Sequence, residues 1–389
     1  MSQINIRNLS NENDDGAPDI VGVSTFSATS YFVPPVGTTA QRPENPQPGD
    51  LRFNTDTASL EYFKGNTIGW SQVEMTSSDL GGGARAVFGS GYITGSDNSD
   101  KIDYVTISTL GDAIDFGTLS AKRMYHCSVG SRTRGYWMGG QTPGANNGVA
   151  SIYYVTIAST GDAIDYGDLS AISKFGSACS NATRGVMAMG QSPAPTKVDT
   201  MEYFTLSTSG AGKDFGDAAV DFRNGAAACA SSTRGIFWGG GTQADSPYYG
   251  QQIDYITIST TGNALDFGDI LTGRSNIAAS FSNSVRGILA GGLNQPYTGD
   301  GSTIQYVTIA STGNSLDFNG DTVLTAGHEY LSGAADSTRG LIDGGGSGPA
   351  ATDAIEYIQI MSSGNALDFG DLSVARFSAC GVSNGHGGL

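Results

Sequence analysis

Short β-prone runs, each broken by turn residues, follow one another along most of the chain, and the pattern they make repeats. Its most recognisable stretch reads IDYVTISTLGDAIDFGTLS from Ile102. Further copies begin at Tyr153 (YYVTIASTGDAIDYGDLS), Met201 (MEYFTLSTSGAGKDFGDAA), Ile253 (IDYITISTTGNALDFGDIL), Ile304 (IQYVTIASTGNSLDFNGDT) and Ile355 (IEYIQIMSSGNALDFGDLS). The marker tyrosines Tyr104, Tyr154, Tyr203, Tyr255, Tyr306 and Tyr357 are spaced 50, 49, 52, 51 and 51 residues apart, so there are six copies.

Each copy resolves into four short strands. The first is rich in small residues, as in FGSACS from Phe175, AAACA from Ala226 and FSACG from Phe377. The second opens with arginine and ends in glycine, as in RGYWMGG from Arg134, RGIFWGG from Arg234 and RGILAGG from Arg286. The tyrosine strand is third, and the fourth carries Asp-aromatic-Gly. Four strands in about 50 residues, six times over, predict an all-β, six-bladed β-propeller, because each repeat is one blade. Strands nearest the axis are crowded, which suits Gly, Ala, Ser and Cys; aromatic residues belong farther out, where blades pack face to face. The array opens at Arg85 with a second-type strand that has no first. It ends at Val374–Cys380 with a first-type strand that has no second. Pairing the two leftovers completes the sixth blade and removes open strand edges.

Composition agrees with this reading. The 57 glycines among 389 residues are about twice the ~7% of average usage, which fits many tight turns. A formal charge of −17 argues against nucleic acid and against anionic membrane surfaces as partners. No run of 18 apolar residues predicts a membrane span, and the start MSQINIRNLSNENDD lacks the apolar core of a signal peptide. The chain is expected to be soluble and to stay where it is made unless something larger carries it out. Its four cysteines, Cys127, Cys179, Cys229 and Cys380, show no metal spacing, and the first three lie about one repeat apart. They read as small buried residues, with neither disulfides nor a metal or cofactor site.

Ahead of the repeats, residues 1–19 read as a flexible polar arm and 20–79 as a small β-rich attachment or oligomerisation region; the propeller is assigned 80–389. Within 20–79 the β-prone IVGVSTFSATSYFV (Ile20 to Val33) is followed by the proline-rich QRPENPQPGD. Three short strands come next, Leu51–Asn54, Leu60–Lys64 and Trp70–Val73, with turns at TDTAS and GNTIG. So few strands are marginal alone, so packing on a copy of itself or on a partner is expected.

Several motifs invite chemistry. DFG at Asp115, Asp214, Asp266 and Asp368 mimics a kinase signature, but its recurrence at one blade position makes it architectural. Arg85, Arg134, Arg184, Arg234, Arg286 and Arg339 recur once per repeat. They could gather an anionic ligand at the axis. The preferred reading is structural, each pairing with the recurring Asp115, Asp165, Asp214, Asp266, Asp317 or Asp368. The three histidines, His126, His328 and His386, occupy unrelated repeat positions, and no catalytic spacing emerges. The loops between second and third strands vary most and share one face. Tyr92, Tyr248, Tyr249 and Tyr297 in them are the candidate ligand-binding residues, suited to glycan or protein surfaces.

On the Gly-Gly-ended strand, the following tyrosine and the fourth-strand aromatic, the chain from Gly83 onward resembles the kelch-type propellers, with Phe116, Tyr166, Phe215, Phe267, Phe318 and Phe369 where kelch repeats carry tryptophan. GTTAQRPENPQPGDLRFNTDTASLEYFKGNTIGW, from Gly37 to Trp70, resembles a small strand module of tailed-bacteriophage appendage and virion proteins. VGVSTFSATSYFV is similar to β-rich segments of marine phage structural proteins. These resemblances imply a non-enzymatic virion protein, a tail fibre or a capsid decoration fibre. It would hold other virion proteins through its N-terminal region, display the propeller to a host-surface glycan or protein, and assemble as a homo-oligomer, a trimer by family habit. The alternatives are a host-encoded interaction scaffold and a carbohydrate-active propeller enzyme.

Overall fold

A computed structural model of the chain describes residues 34–389 apart from 57–58, 73–83, 94–97, 145–146, 189, 194–195, 197, 220–224, 242–249, 276–277, 295–300, 321–323, 326–327 and 348–349. The chain divides into two compact units, Met1–Thr76 and Ser77–Leu389. The expected strand at 20–33 and the arm 1–19 lie outside the described residues.

In the first unit, Leu51–Asn54, Ser59–Phe63 and Trp70–Gln72 form an antiparallel meander. Val36–Gly37 adds a short parallel strand against Phe53 and Asn54. What holds so small a sheet is polar. Glu61 is buried in the central strand and accepts from both forks of Arg42 (2.6 and 3.2 Å), from Arg52 (3.0 Å) and from Asn54 (3.2 Å). Trp70 lies 5.9 Å from each of the two guanidiniums. Charge-assisted, bidentate contacts of this kind are the strong ones, because they satisfy a carboxylate that burial would otherwise penalise.

The second unit folds, among the described residues, into six antiparallel sheets of four strands each, one of which adds a short fifth strand at its outer edge, and a separate two-stranded ribbon of Gly346–Ser347 and Ala350–Ala351. Taken from the innermost strand outward, the second sheet is Cys127–Gly130, Arg134–Met138, Val149–Thr156 and Ile164–Ser173. The other sheets repeat this order. The first takes its inner strand from the far end of the chain: Cys380–Ser383 pairs with Arg85–Tyr92, Val382 opposite Val87. This strand starts six residues later than the repeat pattern suggests. Arg376 is buried just ahead of it and Ser378 turns left-handed, so Phe377 makes only an isolated bridge to Tyr92. Each inner strand lies beside that of the following sheet, and the inner strand of the sixth sheet lies beside that of the first.

Neighbouring sheets are cemented by apolar side chains from both, as where Phe88, Val105 and Ile107 of the first sheet meet Leu341, Ile355 and Phe369 of the sixth. The Asp-aromatic-Gly motif divides its labour within this packing. The aromatic residue is buried and the aspartate exposed, and the glycine touches the turn of the next sheet. A Cβ on Gly117 would stand 2.5 Å from the carbonyl oxygen of Gly161, and one on Gly370 2.4 Å from that of Gly111. Only glycine allows that approach at φ +146°.

The recurring arginines are structural but do not pair with the recurring aspartates, a correction to the sequence expectation. Arg85 sits opposite Thr106 and Val87 opposite Tyr104, so Arg85 and Tyr104 are diagonal neighbours on one sheet face. Asp115 sits opposite Asp103, one residue out of step with Tyr104, and side chains alternate faces along a strand. Each guanidinium therefore covers the marker tyrosine of its own repeat, at 4.1 Å (Arg286–Tyr306) to 4.8 Å (Arg85–Tyr104) from the ring centroid. Each tyrosine in turn meets the fourth-strand aromatic near edge-on, as Tyr104 meets Phe116 at 5.8 Å. All six aspartates are exposed, and among the described residues no ion pair joins them to these arginines.

The same guanidiniums reach the next sheet. Arg184 donates to the carbonyl of Ile258 (2.9 Å), Arg234 to Ile309 (2.8 Å), Arg286 to Ile360 (2.8 Å) and Arg85 to Ile157 (3.1 Å). Arg339 of the sixth sheet donates to Ile107 of the first (2.7 Å). In the second sheet the Tyr136 hydroxyl takes the Leu206 carbonyl that this pattern would give to Arg134.

Candidate recognition site

One small residue from each of the six inner strands, Ser128, Ala178, Ala228, Ser280, Gly333 and Gly381, lines a shared axial space. The free space they enclose falls in two small cavities of about 70 and 90 Å³, enough for a few waters and no more. One end is filled by the chain itself. The segment Asn384–Leu389 crosses the axis: His386 Nε2 lies 3.0 Å from the Gly130 carbonyl, Gly387 donates to Ser282 (2.9 Å), and the Asn384 side chain accepts from the Arg85 amide (2.8 Å). Gly387 and Gly388 sit against backbone carbonyls at the inner strands; a Cβ on Gly388 would fall 1.9 Å from that of Ser180.

The other end carries the aromatic side chains. Four of the inner strands are entered through a segment that bridges the start of a second-to-third-strand loop: Met124 with Gln141, Lys174 with Gln191, Glu329 with Gly346, and Phe377 with Tyr92. Two residues ahead of the inner strand the backbone turns left-handed, at Tyr125 (φ +56°), Phe175 (+58°), Tyr330 (+59°) and Ser378 (+55°). For bulky residues this conformation costs on the order of 1–3 kcal/mol each. It aims three of these carbonyls at the next sheet: Tyr125 accepts from the Phe175 amide (2.9 Å), Phe175 from Gly225 (3.2 Å) and Tyr330 from Ser378 (2.9 Å). The fourth sheet uses Gly225, φ +70°, at the same position.

Turning the backbone this way brings the rings together. Tyr125 lies 4.1 Å from Phe175 and 5.8 Å from Tyr330; Phe377 lies 5.7 Å from Tyr330 and 5.1 Å from Tyr92. All five rings are half-buried. Polar groups fringe them: Lys174 Nζ stands 5.4 Å from the Phe175 centroid and donates to Gln141 (3.2 Å), and Glu329 adjoins Tyr330 in sequence. Burial, with Glu329 nearby, raises the Tyr125 and Tyr330 phenols, so both stay neutral donors.

Of the tyrosines singled out in the sequence, Tyr92 belongs to this mouth, at the end of a strand with its ring on Phe377. Tyr248, Tyr249 and Tyr297 lie outside the described residues. Tyr125, Phe175 and Tyr330 were missed, although each precedes a small-residue strand by the same two positions. Also missed was the residue before each marker tyrosine. Asp103, Glu202, Gln305 and Glu356 are buried there and accept from the preceding sheet, for example from Ser373, Ser170, Leu271 and Thr325.

The remaining reactive groups are quiet. Burial lowers His126 to about 3, aided by Arg123, and lowers His386 to about 4, so both imidazoles are neutral near pH 7. Burial raises the thiols of Cys127, Cys179, Cys229 and Cys380, which keeps them protonated and poorly nucleophilic. Among the described residues no group of three or more His, Cys, Asp and Glu could hold a metal ion. No family model matches the chain, and no curated protein matches it.

Proposed function

We propose that the six sheets close into a six-bladed, kelch-like β-propeller. In this reading the propeller is the recognition module of a non-enzymatic bacteriophage virion protein, a tail fibre or a capsid decoration fibre. The observation that carries recognition is the five-ring aromatic mouth. It is assembled from five separate stretches of chain on a backbone that accepts strain to place it, at the end where the loops between second and third strands begin. Rigid aromatic contact area with polar groups at its rim suits a host-surface glycan or protein, because such side chains lose little conformational freedom on binding. The cyclic adjacency of the inner strands and the Arg339-to-Ile107 bond support the closed ring. The virion assignment rests on the resemblance of Gly37–Trp70 to phage appendage modules, and that region would join the propeller to other virion proteins. As a homo-oligomer, it would present several mouths to one surface and gain avidity.

Antibody labelling of purified particles tests the assignment. Gold on the particle surface is the expected result; absence of the protein from particles refutes it.

A further inference from the structure

We propose that the aromatic mouth binds a neutral pyranose, its apolar face packed against the Tyr125–Phe175 pair and its hydroxyls held by Lys174 and Glu329; this deepens the recognition role proposed above and rests on it. The backbone argues against a peptide. The entry segments spend their amides and carbonyls on one another, Phe175 on Tyr125, Gly225 on Phe175 and Ser378 on Tyr330, while Tyr92 and Phe377 bond to each other in both directions. Strand addition needs an unpaired edge, and those residues have already paired theirs. What remains for a ligand is half-buried aromatic surface with polar side chains at its rim. A pyranose matches both features: axial C–H groups make one face apolar, and equatorial hydroxyls at its perimeter give and accept hydrogen bonds.

Charge narrows the class. The chain carries a net −17, so a sialylated or sulfated sugar would meet repulsion. Lys174, partly desolvated, already donates to the Gln141 side-chain oxygen. A sugar hydroxyl can add to that arrangement without leaving a buried charge unpaired. The cavities below the mouth hold only a few waters, so the sugar lies on the mouth and does not enter the axis.

The full chain on a glycan array holding neutral, amino, sialylated and sulfated oligosaccharides tests this, followed by calorimetry on the best neutral ligand with Phe175→Ala, Tyr125→Phe and Lys174→Ala. Expected is a neutral ligand whose affinity falls about tenfold or more in Phe175→Ala, since one stacked ring is worth roughly that factor. Tyr125→Phe, which keeps the ring, should retain binding. Lys174→Ala should weaken binding with no change in melting temperature. Binding of only acidic glycans, of no glycan at all, or of a neutral glycan equally well in all variants overturns the assignment. If the protein labels on particles while no neutral glycan binds, the virion role stands and the sugar fails; a sugar bound by a protein absent from particles gives the reverse.

Discussion

Arg339 in the sixth sheet donates from Nη1 to the carbonyl of Ile107 in the first, 2.7 Å away, while its guanidinium covers Tyr357 at 4.4 Å. Two residues separated by 232 positions in sequence thus join the last repeat to the first. A hydrogen bond from a charged donor contributes about 1.5–3 kcal/mol, and a partly desolvated cation–π contact about 1–2. Arg339→Ala is therefore expected to lower the melting temperature by several degrees in calorimetry. Asp368→Ala, at an exposed aspartate on the other sheet face, should leave it unchanged. Equal effects of the two substitutions would restore the arginine–aspartate pairing.

The repeat count and the pairing of the leftover strands were legible because they depend on spacing alone: Tyr104 recurs, and Arg85 and Cys380 mark incomplete ends. The arginine partner was not, because Arg85 and Asp115 are matched by recurrence but separated by the alternation of faces, which one register shift decides. Tyr125, Phe175 and Tyr330 sit in dissimilar strings, MYHC, KFGS and EYLS, that align only once the inner strands are placed. Their shared left-handed turn has no composition signal, since αL normally announces itself through glycine or asparagine. Val36–Gly37 escaped notice because two residues carry no period.

Asp343 occupies a register that holds Met138, Ala188, Trp238 and Ala290 in other sheets, and it is buried between the sixth sheet and the first. Neither carboxylate oxygen has a hydrogen-bond partner, whereas the neighbouring Arg376 is committed to Asp103 at 2.9 Å. Burial raises the Asp343 carboxyl from 3.8 to about 6, with Arg376 pulling the other way. The folded state thus holds this proton more tightly than the unfolded state does. The resulting stability is full below pH 3.8 and is lost as pH rises through about 6. At about 1.4 kcal/mol per pK unit the loss is on the order of 3 kcal/mol. Asp343→Asn should therefore melt higher than the parent at pH 8, with the difference vanishing near pH 4. A constant difference across that range would refute the titration.

Glu61 has the opposite sign. The Arg42 fork lowers its carboxyl first and foremost, so the ion pair's contribution is present above the ordinary value of 4.5 and is lost as pH falls through the lowered one. Glu61→Ala leaves Arg52 buried without its carboxylate, a loss that typically costs about 3–5 kcal/mol. Hydrogen exchange on the full chain should show amides of Leu51–Asn54 and Ser59–Phe63 losing protection in this variant. The strands of the six sheets should keep theirs. Retained protection in the small sheet would mean that its strands do not depend on the buried network.

The segment across the axis supplies the last prediction. Gly387 and Gly388 are packed where a side chain would collide with the carbonyl oxygens of Asn283 (2.1 Å) and Ser180 (1.9 Å), both backbone atoms that cannot swing aside. Gly388→Val must either push the segment out of the axis or open the inner strands. Overpacking of this kind costs about 1–3 kcal/mol, and expelling the segment exposes the Gly130 and Ser282 carbonyls that His386 and Gly387 now satisfy. A lower melting temperature is expected, together with faster exchange at the Gly387 amide and in the inner strands, above all Ser177–Ser180 and Ala279–Ser282. Deleting residues 384–389 should produce the same pattern, because it removes the same bonds without adding bulk. If the deletion left both exchange and melting unchanged, the segment would merely rest against the inner strands, and the Arg85-type bonds between sheets would hold the sheets together unaided.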